Sequence, residues 1–298
     1  MSGETAHGDG LPPLGAVIAK YKLSARKALG QNFLLDLNLT RRIARAALDG
    51  AEEDEARIVY EVGPGPGGLT RALLAEGATH VIAVERDARC LPALAEIQNA
   101  YPGRFDIAAG DAMALDEGST LRKMDVALPV RVAANLPYNL GTALLVKWLT
   151  AREWPPWWSS LTLTFQREVA ERICAHTGSE AYGRLSVLAQ WRAEPRILFE
   201  INRRAFVPAP KVTSAVVRID ALPDPRFDAR LEDLEAVTAA AFGQRRKMIR
   251  KSLKQLSPAA DAILKAAHVP PTARAEELDL SQFCALARAY AAARMASG

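Results

Sequence analysis

Three glycines spaced two apart, Gly63, Gly65 and Gly67, follow an apolar run at 57–62 and precede a helical pattern at 70–76. A strand turning this sharply into a helix needs residues that tolerate left-handed backbone. The turn also aims the helix's unpaired N–H groups at a ligand. Such a unit belongs to an open α/β sheet, which binds ligands beyond the carboxyl ends of its strands. Glu61 closes the strand, where it can accept from a ligand ammonium. Glu85 comes 18 residues after Gly67, at the end of the next strand, with Arg86 beside it. An acid at that distance suits ribose hydroxyls. Asp111 and Ala112 end a third strand, where a carboxylate can receive an adenine amine.

The rest of the chain extends this pattern. Strands are expected at 57–62, 80–84, 105–109, 130–134 and 160–166. Helices are expected at 38–48, 70–76, 88–98, 140–149, 167–175 and 184–193, and late strands at 196–201 and 212–219. Alternation of this kind predicts a mostly parallel sheet covered on both faces, with the late strands able to pair antiparallel at an edge. Two prolines and an acid at 221–225 mark a boundary. Beyond it only helices are expected, at 231–242, 246–256, 259–267 and 280–293. The domains read as a flexible tail at 1–19, an α/β domain at 20–220 and a small all-helical domain at 221–298.

A second motif, Asn135-Leu136-Pro137-Tyr138, ends the fourth strand of the α/β pattern. Its chemistry suits an exocyclic amine. The lone pair of adenine N6 is delocalised into the ring, and two acceptors on its hydrogens favour a more nucleophilic nitrogen. The Asn135 side-chain carbonyl and a backbone carbonyl near Leu136–Pro137 can supply them. Pro137 fixes φ, and Tyr138 offers a flat face for a base. Together the motifs indicate methyl transfer from S-adenosyl-L-methionine to a nitrogen, leaving S-adenosyl-L-homocysteine. Phe206, in the proline-stiffened run at 206–214, is a candidate second wall over a flipped base, with core packing as its alternative.

Other chemistries have less support. Cys90, Cys174 and Cys284 are scattered, which points to a reducing compartment and away from a thiolate nucleophile. Four dispersed histidines give no metal pattern, so no metal is expected. No apolar run spans a bilayer, and the Gly/Pro-rich start lacks a signal core, so a cytoplasmic protein is expected. Net charge is only +4, so charge distribution matters more. The acid-free stretch 241–256 carries Arg245, Arg246, Lys247, Arg250, Lys251 and Lys254, with an apolar face expected on the other side of its helix. Arg203, Arg204 and Lys211 lie near the proposed pocket, and Lys20, Lys22, Arg26 and Lys27 precede the cofactor loop. These cations are candidate phosphate contacts. The tryptophans at 154, 157 and 158 suggest packing or an interaction surface.

With these motifs in order, the chain resembles the bacterial small-subunit (16S) rRNA adenine N6,N6-dimethyltransferase family, whose prototype is the kasugamycin-sensitivity methyltransferase. The likeness covers roughly residues 21–283. It rests on Gly30-Gln31-Asn32-Phe33-Leu34, the stretch from Glu61 to Gly68, Asn135–Tyr138 and Phe206–Ser214. The resemblance implies a Rossmann-like class I methyltransferase sheet with a C-terminal helical domain. It implies dimethylation of two adjacent adenosines in the 3′-terminal helix loop, late in assembly of the small ribosomal subunit, by a monomer. It adds Gln31, Asn32 and Leu34 to the cofactor site and lets Asn135 serve both sites. Two alternatives stay open. One is a large-subunit rRNA adenine N6-methyltransferase conferring macrolide resistance. The other is a non-catalytic RNA-binding assembly factor.

Overall fold

A computed structural model describes residues 9–26, 30–50 and 57–296; Lys27 lies outside the described residues. The chain forms two compact units. The first comprises Met1–Trp148, Pro156–Arg167 and Arg196–Ala221, and the second Leu149–Pro155, Glu168–Pro195 and Leu222–Gly298.

In chain order the first elements are α1 (Leu14–Lys20), β1 (Phe33–Leu34), α2 (Leu37–Leu48), β2 (Ile58–Val62), α3 (Gly68–Ala75) and β3 (His80–Glu85). Then come α4 (Leu91–Ala100), β4 (Phe105–Ala109), α5 (Glu117–Lys123), β5 (Val130–Ala134), α6 (Tyr138–Leu149) and β6 (Trp158–Gln166). Next are α7 (Arg167–Cys174), α8 (Arg184–Arg192), β7 (Ala193–Ile201), β8 (Phe206–Val207) and β9 (Ser214–Ala221). Four helices end the chain: α9 (Leu231–Gly243), α10 (Ile249–Leu253), α11 (Ala260–Ala266) and α12 (Leu280–Ala296).

Seven strands form one sheet in the order β4-β3-β2-β5-β6-β9-β7. The pairings from β4 through β6 are parallel, and β6 with β9 is antiparallel. The central strands are apolar along their length because helices cover them. Ile43 and Ala47 of α2, Leu69 and Leu73 of α3, and Leu94 and Ile97 of α4 pack into one core with Val59, Val81 and Ala133. Since β2, β3, β4 and β5 run the same way, their carboxyl ends, and the motifs that follow, share one rim.

Several expectations are corrected. The tail expected at 1–19 is structured from residue 9. Leu14 and Val17 of α1 are buried, and Asp9 closes both carboxylate oxygens on the buried Arg71 guanidinium, at 2.7 and 2.8 Å. Arg71 also donates to Pro12 O at 2.7 Å, so that segment satisfies a buried cation of α3. The segment Gly30–Asp36, for which no strand was expected, contains β1, paired antiparallel with β8 through Phe33↔Val207 and Leu34↔Phe206.

The boundary expected between residues 220 and 221 is too simple. Residues 168–195 belong to the helical unit, because Tyr182, Val187 and Trp191 pack into the same core as Val237, Ile263 and Phe283. Within it Phe242 stacks on Phe283 at 5.4 Å and meets Tyr182 edge-on at 6.0 Å. The tryptophan segment is used for packing. Arg192 lies 4.7 Å from the rings of both Trp154 and Trp191 and donates to Leu149 O and Ala151 O. Trp157 meets Tyr60 edge-on at 5.2 Å, and Trp158 is fully buried.

The basic helix expected at 246–256 is also corrected. Only Ile249–Leu253 is α-helical; Met248 is extended, bridges to Arg274, and Ile249 N–H bonds to Ala273 O at 2.7 Å. Arg245 turns back onto the carbonyl of Glu180, and Arg250 makes a two-point ion pair with Asp261 at 2.6 and 2.8 Å. Arg246, Lys247, Lys251 and Lys254 are exposed.

Candidate active site

The rim of the sheet opens into a cavity of about 160 Å³ in the first unit. It brings together segments far apart in sequence: Gln31, Asn32 and Leu34; Glu61, Gly63 and Gly65; Glu85 and Arg86; Asp111 and Ala112; and Asn135, Leu136 and Pro137. All of these were expected from sequence. Leu14, Thr40, Ile43, Asp87 and Asn139 also line it.

The glycine turn shapes one wall. Gly63 has φ +68°, and a Cβ there would meet nothing within 4 Å, so the space above its backbone is open to a ligand. Gly67 is different. It is absent from the lining, has φ +89°, and a Cβ would fall 2.1 Å from Ile97 Cδ1. Its role is close packing of α3 on α4, which corrects its expected place among cofactor contacts.

Two buried acids face this turn. Glu61 is 1% exposed, and its Oε2 accepts from the Thr70 hydroxyl at 2.6 Å. Burial pushes its pKa up to about 8, with the Thr70 bond opposing and the Glu85 charge adding to the rise. Glu85 Oε2 accepts from Gly65 N–H at 2.9 Å and Oε1 from Asp87 N–H at 2.6 Å. Burial raises its pKa too, while those N–H groups favour its charged form. Asp87 is held down to about 2, first by the Arg89 fork and also by Gln31, whose Nε2 donates to it at 3.1 Å. Asp87 thus fixes Gln31 at the cavity edge. The Glu85-x-Asp87 spacing was the available sequence signal.

Beside Glu85, past the end of β4, Asp111 Oδ1 accepts from Met113 N–H at 3.0 Å, and Oδ2 lies 3.3 Å from Arg86. The pair links the ends of β3 and β4. Asn135 Nδ2 donates to Asn32 O at 3.3 Å, which ties the two motifs together and presents Oδ1 as an acceptor. Pro137 O is taken by the first turn of α6, accepting from Leu140 and Gly141 N–H at 2.9 and 3.0 Å.

Tyr138 and Phe206 both lie outside the cavity lining. The Tyr138 hydroxyl meets Ser214 Oγ at 2.5 Å. Phe206 is 2% exposed and belongs to the core of the first unit, opposite Leu34 in the β1–β8 pair. Its expected role as an open wall is corrected, since core packing claims the ring. Arg203, Arg204 and Lys211 are exposed, and Arg203 and Arg204 sit on a short turn capped by Asn202.

The residues fit a cationic amino-acid–nucleoside. Glu61 is a buried acid whose neutral form burial favours, and a ligand cation beside it would favour its charge. The open space at Gly63 and the acids at successive strand ends suit S-adenosyl-L-methionine. Among the described residues, no group of three or more His, Cys, Asp or Glu side chains is placed to hold a metal ion.

Comparisons agree with this geometry. The ribosomal RNA adenine dimethylase family model matches residues 22–292. The ribosomal RNA small subunit methyltransferase A of Paracoccus denitrificans is 61% identical over 285 residues, covering 96% of this chain and 98% of the relative. That of Ruegeria pomeroyi is 60% identical over 283 residues, covering 95% and 98%. Among solved structures, the 23S rRNA methyltransferase ErmE aligns with a TM-score of 0.64 at 27% identity, covering 87% of this chain and 100% of that one. A dimethyladenosine transferase from Plasmodium falciparum shares the fold, with a TM-score of 0.64 at 23% identity over 83% of this chain and 93% of that one. The chain belongs to the ribosomal RNA adenine dimethylase family.

Proposed function

We propose that this cavity carries out S-adenosyl-L-methionine-dependent N6,N6-dimethylation of adenosines in small-subunit (16S) rRNA. The chain is an rRNA adenine methyltransferase. The supporting observation is the meeting of Asn135 with the cofactor residues in one cavity, through its bond to Asn32 O. When bound, S-adenosyl-L-methionine supplies an electrophilic methyl on a sulfonium. The chain's own contribution is to orient the amine. Asn135 Oδ1 takes one N6 hydrogen. Because Pro137 O is already used by α6, Leu136 O is the proposed second acceptor. Positioning of this kind supplies most of the rate enhancement when the electrophile is already reactive. Glu61 and Glu85 hold the amino-acid and ribose portions, and Asp111 the adenine amine. Tyr138, tethered to Ser214, is proposed to enter the site only as the edge of the base pocket.

The finer proposal is that the targets are two adjacent adenosines in the 3′-terminal helix loop, methylated on an assembling small subunit by a cytoplasmic monomer. Exposed Arg203, Arg204, Lys211, Arg246, Lys247 and Lys251 are its proposed phosphate contacts. No described helix is long and apolar enough to cross a membrane. Asn135→Ala tests the catalytic assignment. The expected turnover falls about 100-fold or more at saturating cofactor. Unchanged turnover would remove Asn135 from the chemistry. Lost turnover with intact subunit binding would also set aside the non-catalytic assembly-factor reading.

A further inference from the structure

Lys147 lies on α6, the helix that begins at the catalytic motif, yet its ammonium reaches the strand-end loop on the opposite wall. Nζ donates to Ala112 O at 2.7 Å and Leu115 O at 2.6 Å, and meets both Glu117 carboxylate oxygens at 2.9 Å. An ammonium has three hydrogens at tetrahedral angles, matched here by two carbonyls and one carboxylate. Glu117 is 3% exposed, and its Oε1 also accepts from Trp148 Nε1 at 3.0 Å. A buried carboxylate is costly without a partner, so the Lys147–Glu117 pair fixes where the loop between β4 and α5 can sit. Asp111 and Ala112, the cavity-lining residues of this loop, precede and include the first carbonyl that Lys147 grips.

We infer that Lys147 is a positioning residue that sets the adenine-binding wall against the methyl-acceptor wall. The inference rests on the reading that Asp111 receives the cofactor's adenine amine. α6 starts at Tyr138, directly after Asn135–Pro137, and carries Lys147 about two and a half turns later, so one rigid helix references both walls. Arginine cannot replace it fully, because a planar fork cannot converge on three acceptors in this arrangement.

A general support role and a positioning role make different forecasts. Loosening the fold weakens every cofactor-like ligand. Misplacing Asp111 weakens only ligands that carry the amine. The test uses S-adenosyl-L-homocysteine and its purine counterpart, with hydrogen in place of the 6-amino group, measured by calorimetry. Wild type is expected to bind the purine form roughly tenfold more weakly, the cost of one lost buried hydrogen bond. In Lys147→Gln, S-adenosyl-L-homocysteine is expected to lose about tenfold while the purine form changes less than about twofold. Equal losses for both ligands, or no loss, would overturn the inference. Asp111→Ala separates the underlying reading. If wild type prefers the amine and Asp111→Ala keeps that preference, the placement at Asp111 is wrong, whatever Lys147 does. If Lys147→Gln does not fold, Lys147→Arg carries the same comparison. It is expected to show a reduced preference for the amine, and a full wild-type preference would overturn the inference.

Discussion

Glu61 concentrates the electrostatic problem of the site in one side chain. It is buried, bonded to Thr70, and its pKa is pushed up to about 8 by loss of solvent. An acid whose folded pKa is raised contributes stability that is complete below its unfolded value near 4.5 and lost as pH rises through about 8. Glu61→Gln keeps an acceptor for Thr70 and removes that dependence. The cofactor-free variant is therefore expected to melt above wild type at pH 8 and higher, and to converge with it near pH 5. The same variant is expected to bind cofactor at least tenfold more weakly at pH 8, since the buried anion is lost. Linkage gives a further sign: wild-type affinity for cofactor rises with pH up to about 8, with proton release on binding below that pH. Thermal melts and calorimetry across pH 5–9 check both. An affinity that falls as pH rises would contradict the assignment of Glu61 to the ligand's cation. At this scale much was legible. Glu61, Glu85, Asp111 and Asn135 each lie within two residues of a strand's carboxyl end, and strand ends can be read from local pattern. Gly67 was misassigned because its demand comes from Ile97 on another helix, which no local signal records.

Elements show where sequence reasoning stops. The strands at 105–109 and 130–134 were placed to the residue, because a short apolar run between turns has few alternative readings. The helix at 117–123 was missed, although Asp116 caps it through Ser119 N–H, a signal present in the sequence. β1 and β8 were not foreseeable locally, since each is two residues long and exists only through its distant partner. The basic helix failed for a similar reason. Apolar spacing suggested one amphipathic run, but Ile249 pairs with Ala273 and Arg245 with Glu180, contacts set by tertiary structure. Two predictions belong here. Gly67→Ala forces a Cβ toward Ile97 at a positive φ, and is expected to cost about 1–3 kcal/mol. Ile97→Ala in the same chain should recover part of that loss, and additive penalties in urea melts would refute the contact. Reversing charge at Arg246, Lys247 and Lys251 should weaken RNA binding more at low salt than at high. The salt slope should fall by about one for each phosphate contact removed. Equal binding at every salt would remove this segment from the footprint.

For the whole molecule, the fold and chemistry were legible because several strand-end motifs occur in the order a parallel sheet needs. The division into compact units was less so. Residues 168–195 read as a continuation of the α/β alternation, while Tyr182 and Trp191 are core residues of the helical unit. Periodicity shows that a helix has an apolar face but not which core that face joins. Relatives about 60% identical over nearly their whole length are small-subunit enzymes, whereas the large-subunit enzyme ErmE is 27% identical. The central claim is therefore about the RNA that accepts the methyl groups. The most direct measurement is labelled methyl transfer to unmethylated small subunits and, separately, to large-subunit RNA, with products mapped by mass spectrometry. Two adjacent N6,N6-dimethyladenosines near the 3′ end of the small-subunit RNA are the expected result, and modification of large-subunit RNA alone would contradict it.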